Sequence, residues 1–213
     1  MKKWVLGILI AVAAVVFATA AGLGFIQITD IPYTSDIEAL NIEMVSGLGR
    51  EEIMANYHAV MDYLSPFSRE DFSLPTLAFS DSGGYHFYEC KVIFGRLYAL
   101  GALCAAVLAI AAIKLERRRI PIETLAVSGA LTLALPAVLL GVIAVDFNRA
   151  FVLFHKLFFN NDMWIFDCRI DPIITILPEE FFLHCALIIA GAIALTSAVQ
   201  LAVYFVSRGR RAL

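Results

Sequence analysis

Charge is what this chain has least of: Asp, Glu, Lys and Arg make up 16% of its 213 residues, against 61% hydrophobic ones. Mean hydropathy is +0.81. A water-soluble domain of this size cannot hide so much apolar surface, so a bilayer must solvate part of it. Several chemical signatures are missing too. Among the 4 cysteines there is no Cys-x-x-Cys, which argues against a thiol–disulfide membrane enzyme. No Gly-x-Ser-x-Gly elbow occurs, which argues against a hydrolase of that fold. His-Glu-x-x-His is also lacking, and without it or paired cysteines a zinc site has weak support. No internal repeat or low-complexity tract stands out. Inside the apolar stretches the charges are Glu123, at the very start of one, and Arg96, near an end where it can snorkel, which is little for a transport path.

What the chain does have is four stretches long enough to cross a hydrocarbon core, which needs about 20 apolar residues. They run Trp4–Ile28, Val92–Ile113, Ile122–Val145 and Phe181–Val206. The expected architecture is therefore an all-α membrane protein with four transmembrane helices forming one membrane domain. Nine of its 16 basic residues sit at ends and a loop that four spans place on one side: Lys2 and Lys3, then Lys114 and Arg117 to Arg119, then Arg208, Arg210 and Arg211. The positive-inside rule makes that side cytoplasmic and puts both termini there. Residues 29–91 and 146–180 then form a small extracytoplasmic cap holding most of the acids. The start of the chain, with two lysines, an apolar run and Ala18-Thr19-Ala20, also suits a cleaved signal peptide. The run continues through Phe25, Ile26 and Ile28, which favours an uncleaved anchor.

In the cap, Thr29-Asp30-Ile31-Pro32 reads as a turn, and residues 51–64 place Ile53, Met54, Tyr57, Val60, Met61 and Leu64 at helical spacing before Pro66 stops them. Leu74–Phe79, bounded by Pro75 and Asp81-Ser82-Gly83-Gly84, suits a short β strand or hairpin edge. About sixty residues make little core alone, so the cap should lean on the second outer segment and the membrane surface. That segment reads as a continuation of the third span, with Phe147, Phe151, Phe154, His155, Phe158, Phe159 and Asp162 on one broad helical face. Pro121 and Pro178 fit helix starts, Glu179 and Glu180 complement a helix dipole, and Pro136 predicts a kink in the third span.

Of the 4 histidines, His86 and His155 are placed by this topology at the same depth on the same side. Imidazole titrates near neutrality, so two of them can share acid and base duties; the bland alternative is hydrogen bonding at the membrane interface. His58 on the cap helix is expected to face solvent, and His184 to pack. A metal set from His86 and His155 with Asp162, Glu89 or Asp171 is the competing use. Cys90 and Cys168 both lie on the outer side and are close enough in topology to pair. The Phe-rich run up to Trp164 suits the membrane interface, and equally a pocket for acyl chains around one histidine.

The stretch from Val145-Asp146-Phe147-Asn148 through Phe154-His155-Lys156-Leu157-Phe158-Phe159-Asn160-Asn161-Asp162-Met163-Trp164, then Asp171-Pro172 and Leu177-Pro178-Glu179-Glu180-Phe181-Phe182, resembles the long motif of the bacterial lipoprotein intramolecular transacylase (Lit) family. His86-Phe87-Tyr88-Glu89-Cys90-Lys91-Val92-Ile93-Phe94 is similar to a second family pattern, and Asn56-Tyr57 to Met61-Asp62-Tyr63-Leu64 to the family's cap helix. Departures are Phe87, Glu89 and Cys90, where Met, Asp and Val are usual, and Cys168 after Asp167, where Pro is common. With the four-span layout the resemblance covers nearly the whole chain.

The resemblance implies an outer-leaflet, cofactor-free acyltransferase of the bacterial cell membrane. Its partners would be diacylglyceryl lipoproteins and membrane lipid, with no nucleic acid. It would move the sn-2 acyl chain to the amine of the substrate's own N-terminal cysteine, leaving a lyso-form lipoprotein. On this reading His86 and His155 are catalytic, one accepting the amine proton while the other protonates the leaving alkoxide. Phe151, Phe154, Phe158, Phe159, Trp164 and Lys91 are expected to bind substrate. Glu89, Asn161 and Asp162 are expected to orient, and Asn161, Lys91 or a backbone N–H to hold the oxyanion. Two alternatives stand beside it: a non-catalytic membrane protein binding a partner through Tyr57 and Tyr63, and a metal-dependent membrane hydrolase using the same histidines.

Overall fold

A computed structural model describes residues 2–212. They form eight α-helices: α1 (Lys2–Ile28), α2 (Ile31–Ala39), α3 (Ile42–Ser46), α4 (Arg50–Leu64), α5 (Asp81–Glu116), α6 (Glu123–Val145), α7 (Phe147–Phe158) and α8 (Glu179–Ala212), with a 3₁₀ turn at Pro172–Thr175. Four of them (α1, α5, α6 and α8) are long and apolar enough to cross a membrane. The chain divides into two compact units: residues 1–24, 97–145 and 187–213, and residues 25–96 and 146–186.

In the first unit, small residues let helices approach closely. Ala11, Ala13, Ala14, Ala18 and Ala20 of α1 are buried. A side chain at Gly7 would strike Val127, one at Gly101 would strike Ala20, and one at Gly129 would strike Leu201. Lipid offers no hydrophobic drive between helices, so such contacts and interhelical hydrogen bonds carry the packing. Ser128 and Thr132 of α6 both donate to Gln200 Oε1 of α8, at 3.1 and 3.3 Å, and Ser197 Oγ donates to Gly129 O at 2.7 Å. The α6 helix runs unbroken through Pro136.

The second unit has an aromatic and Ile-rich core. Tyr33 and Tyr57 stack at 3.7 Å, with Phe181 edge-on to both, and Ile37, Ile53, Val60, Ile173 and Ile176 fill the space around them. Tyr33 donates its hydroxyl to Ile176 O at 2.8 Å, so the residues after α1 pack on the segment that precedes α8. Burying each large side chain here contributes about 1.5–3 kcal/mol.

Three local expectations change. The segment 74–79 is irregular, and no strand occurs among the described residues. Its backbone N–H groups at Thr76 and Leu77 turn to the Asn56 side chain, at 3.4 Å each, rather than to a neighbouring strand. The helix expected to run on past residue 145 stops there: Asp146 is extended, and its carboxylate accepts from Arg149 N at 3.0 Å, capping a new helix. The turn read at residues 29–32 opens α2, with Pro32 in its first turn. Left-handed Asn41 (φ 52) and Gly47 (φ 72) separate α2, α3 and α4.

Candidate active site

His86 lies in the N-terminal part of α5, ahead of the 92–113 stretch, and that helix start is firmly held. Ser80 Oγ accepts from Gly83 N at 3.0 Å, capping the helix. Ser80 is in turn gripped by Asp171, whose carboxylate accepts from Ser80 N at 2.7 Å and from Ser80 Oγ at 2.8 Å. Asp171 approaches so closely that a Cβ at Gly83 would collide with it. The Gly83-Gly84 pair is therefore the first turn of a helix, not a flexible loop, and Gly83 is glycine because a carboxylate occupies that space.

His155 lies on α7, one turn beyond Phe151. Its Nδ1 is 2.8 Å from Phe151 O. A carbonyl only accepts, so Nδ1 carries the hydrogen and Nε2 keeps its lone pair. The two imidazoles are 5.7 Å apart between ring centroids. Phe159 lies 4.7 Å from His86 and 5.5 Å from His155, Trp164 stacks on His155 at 4.7 Å, and Phe166 meets His86 edge-on at 5.6 Å. Only 7% of His86 and 8% of His155 is exposed, so both rings are nearly sealed in an apolar setting.

That burial has an electrostatic consequence. Desolvation, then the neighbouring His155, lowers the His86 pKa to about 4, and desolvation lowers that of His155. At neutral pH both rings are uncharged, the form that accepts protons.

The residues expected around the pair are distributed unevenly. Phe151 lies 4.2 Å from the His155 ring and Phe154 lies 5.5 Å from it, whereas Phe158 packs on Phe154 at 4.7 Å and is half-exposed. Both Glu89 oxygens accept from Asn161 Nδ2, at 2.9 and 3.1 Å, and Asn161 O accepts from Trp164 Nε1 at 3.0 Å. Glu89 and Asn161 thus hold the loop carrying Trp164 and bond to neither imidazole. Asp162 is exposed and caps a turn through its carbonyl. Lys91 lies over the Tyr63 ring at 4.1 Å and reaches Glu70 O at 3.5 Å.

Two participants escaped sequence reasoning. Phe166 lies in an irregular segment with no periodicity to point at His86. Cys90 Sγ stands 3.5 Å from His86 Nε2, a contact that the i, i+4 spacing could have suggested. Cys90 and Cys168 are both free thiols, so they are not paired. His58 pairs with Asp30 at 3.0 Å and is half-exposed; His184 Nδ1 lies 2.7 Å from the buried Asp36 carboxylate. Among the described residues no three imidazole, thiol or carboxylate groups come together as a metal-holding set.

The family model described as lipoprotein intramolecular transacylase Lit matches residues 5–182. The solved structure of the membrane-integral lipoprotein intramolecular transacylase Lit from Bacillus cereus is 31% identical, superposes with a TM-score of 0.92, and the match covers 100% of this chain and 99% of that one. Two variants of the same Bacillus cereus protein, with arginine or alanine in place of one histidine, match with TM-scores of 0.85 and 0.86 at 31% and 30% identity. They are covered over 95% and 96% of their lengths, and this chain over 100%. No curated protein matches the chain.

Proposed function

The chain belongs to the lipoprotein intramolecular transacylase (Lit) family, a multi-pass membrane acyltransferase family, and from that premise we propose that it moves the sn-2 acyl chain of a diacylglyceryl lipoprotein onto the amine of the same molecule's N-terminal cysteine. The observation that carries this reading is the pair of buried imidazoles, 5.7 Å apart in an aromatic setting.

The chemistry follows from the substrate. The amine nitrogen attacks the ester carbonyl, the carbonyl carbon's bond to the sn-2 oxygen breaks, and the amine proton ends on that oxygen. Attack closes an eight-membered ring through the cysteine sulfur and two glyceryl carbons, so holding the lipid folded is the main task. Proximity of this kind contributes several kcal/mol, up to about 7–11 in favourable models. The α-amine titrates near 7.7–8.0, so a good share of it is already free near neutral pH, and a neutral imidazole is in the form that takes the proton released as the nitrogen attacks. His86 and His155 carry this proton traffic, and no protein nucleophile is needed.

Phe151, Phe154, Phe159 and Trp164 form the apolar wall against which acyl and glyceryl groups rest, extended outward by the half-exposed face of Phe158. The distribution of basic residues orients the site to the outer face with both termini cytoplasmic. The test is to incubate the His86→Ala and His155→Ala proteins with a diacylglyceryl lipopeptide and follow the lyso, N-acylated product by mass spectrometry. Full turnover by either variant removes that histidine from the mechanism.

A further inference from the structure

The transfer passes through a tetrahedral intermediate whose oxyanion needs a hydrogen-bond donor. The side-chain donors near the imidazoles are engaged elsewhere. Asn161 Nδ2 is spent on Glu89, Trp164 Nε1 on Asn161 O, and Lys91 on Tyr63 and Glu70 O. One buried polar atom of the site has no partner: His86 Nδ1. Leaving such an atom unmatched costs about 1–3 kcal/mol, a cost that a substrate oxygen would relieve.

Whether Nδ1 donates or accepts depends on the other nitrogen, and that nitrogen faces Cys90 Sγ at 3.5 Å. A thiol is a weak donor and a weaker acceptor, whereas an imidazole lone pair accepts well. Burial pushes the Cys90 thiol up to about 12, so it keeps its hydrogen. An S–H donating to Nε2 leaves the imidazole hydrogen on Nδ1. His155 has the complementary arrangement, since Nδ1–H is held by Phe151 O and the Nε2 lone pair is free.

We propose that Cys90 is a positioning residue whose thiol donates to His86 Nε2, so that His86 offers its Nδ1–H to the ester oxyanion while His155 Nε2 alone relays the amine proton to the sn-2 oxygen. This rests on the transacylase reading above and divides the labour it leaves shared. The protons balance. His155 accepts the amine proton as the nitrogen–carbon bond forms and becomes an imidazolium. It then returns that proton to the sn-2 oxygen as the carbon–oxygen bond breaks. The donor nitrogen and leaving oxygen are bonded to the same carbon, so one ring nitrogen can serve both. A neutral His86 cannot donate its last proton outright without becoming an imidazolate, which restricts it to hydrogen bonding, as a neutral histidine does in triosephosphate isomerase.

The test compares the unaltered protein with Cys90→Ser, which keeps a donor, and Cys90→Val, which removes it. Nitrogen NMR on histidine-labelled protein in detergent reads the tautomers, with His86→Gln identifying the His86 signals. Single-turnover mass spectrometry with a diacylglyceryl lipopeptide reads the rate. The Nδ1–H form of His86 is expected in the unaltered protein and in Cys90→Ser, and a shift toward Nε2–H in Cys90→Val. The rate constant should fall on the order of 10- to 100-fold in Cys90→Val, less than outright loss of an oxyanion donor, with substrate affinity unchanged. Cys90→Ser should recover most of it. An Nε2–H tautomer in the unaltered protein overturns the proposal, as does an unchanged rate in Cys90→Val. So does an acyl group found on Cys90 by peptide mass spectrometry, which would make the thiol a nucleophile. Failure of the unaltered protein to make any lyso product counts against the transacylase reading itself, and the tautomer measurement still stands on its own.

Discussion

The two units differ in how many of their buried polar side-chain atoms are left unmatched. In the spanning unit, Ser128, Thr132, Ser197 and Gln200 are knitted together between helices. In the other unit, His86 Nδ1, Asp36 Oδ2 and Tyr57 Oη are buried without a hydrogen-bond partner. A satisfied network stabilises and specifies packing, whereas an unmatched buried group is a standing cost that persists where function requires it. The contrast is not perfect, because the Thr124 hydroxyl of the spanning unit is also buried and unpartnered. It nonetheless separates scaffold from site, and it can be tested.

The largest effect should come from the imidazoles. His155→Ala is expected to lower the single-turnover rate by about 10²–10⁴-fold, the usual worth of a positioned base. The melting temperature of the detergent-solubilised protein should change little, because an unfavourable desolvation is removed along with the ring. A rate within a few fold of the unaltered protein would break the comparison at its centre.

Acidification comes next. His86 has a folded-state pKa of about 4 against an ordinary 6.5, so the unfolded chain binds a proton in that window and the folded one does not. Stability therefore falls as pH drops from about 6.5 toward 4, by up to about 1.4 kcal/mol per pH unit from this group, and levels off below. Asp36, raised mainly by burial, pulls the other way, since its folded form holds its proton to higher pH. Thermal melts of the unaltered protein and His86→Gln across this range isolate the histidine's part as their difference. A constant difference would show that His86 is not buried as a neutral ring.

Removing the anchor of α5 should cost somewhat less. Asp171→Ala strips both acceptors from Ser80, with an expected loss of about 1.5–3 kcal/mol in thermal or denaturant unfolding and a lower transfer rate. Asp171→Asn keeps one acceptor and should fall between. An unaltered rate in Asp171→Ala would mean that the Ser80 clamp does not position His86.

The smallest effect belongs to the spanning unit. Gln200→Leu should cost about 0.6–1.7 kcal/mol, the range of interhelical hydrogen bonds in bilayers, and leave the transfer rate unchanged. A rate loss comparable to that of His155→Ala would erase the distinction between scaffold and site.

Much of this was legible in the chain as written. Four apolar runs, each about a bilayer thick, compel four spanning helices, because no other local structure satisfies a backbone in lipid. The periodicity of residues 51–64 foretold α4, and the aromatic motif around His155 carried the family resemblance. Patterns of this kind are local, set by neighbours within a turn or two. Partner choice was not local. That Glu89 spends both oxygens on Asn161, that Asp171 caps a helix through Ser80 some ninety residues away, and that two imidazoles meet 5.7 Å apart depend on elements brought together by packing. The sequence by itself determined the spans and the kinds of chemistry available. Only the tertiary structure decided which polar atoms are matched and which, His86 Nδ1 among them, are left open, because hydrogen bonding is decided by short-range geometry after folding.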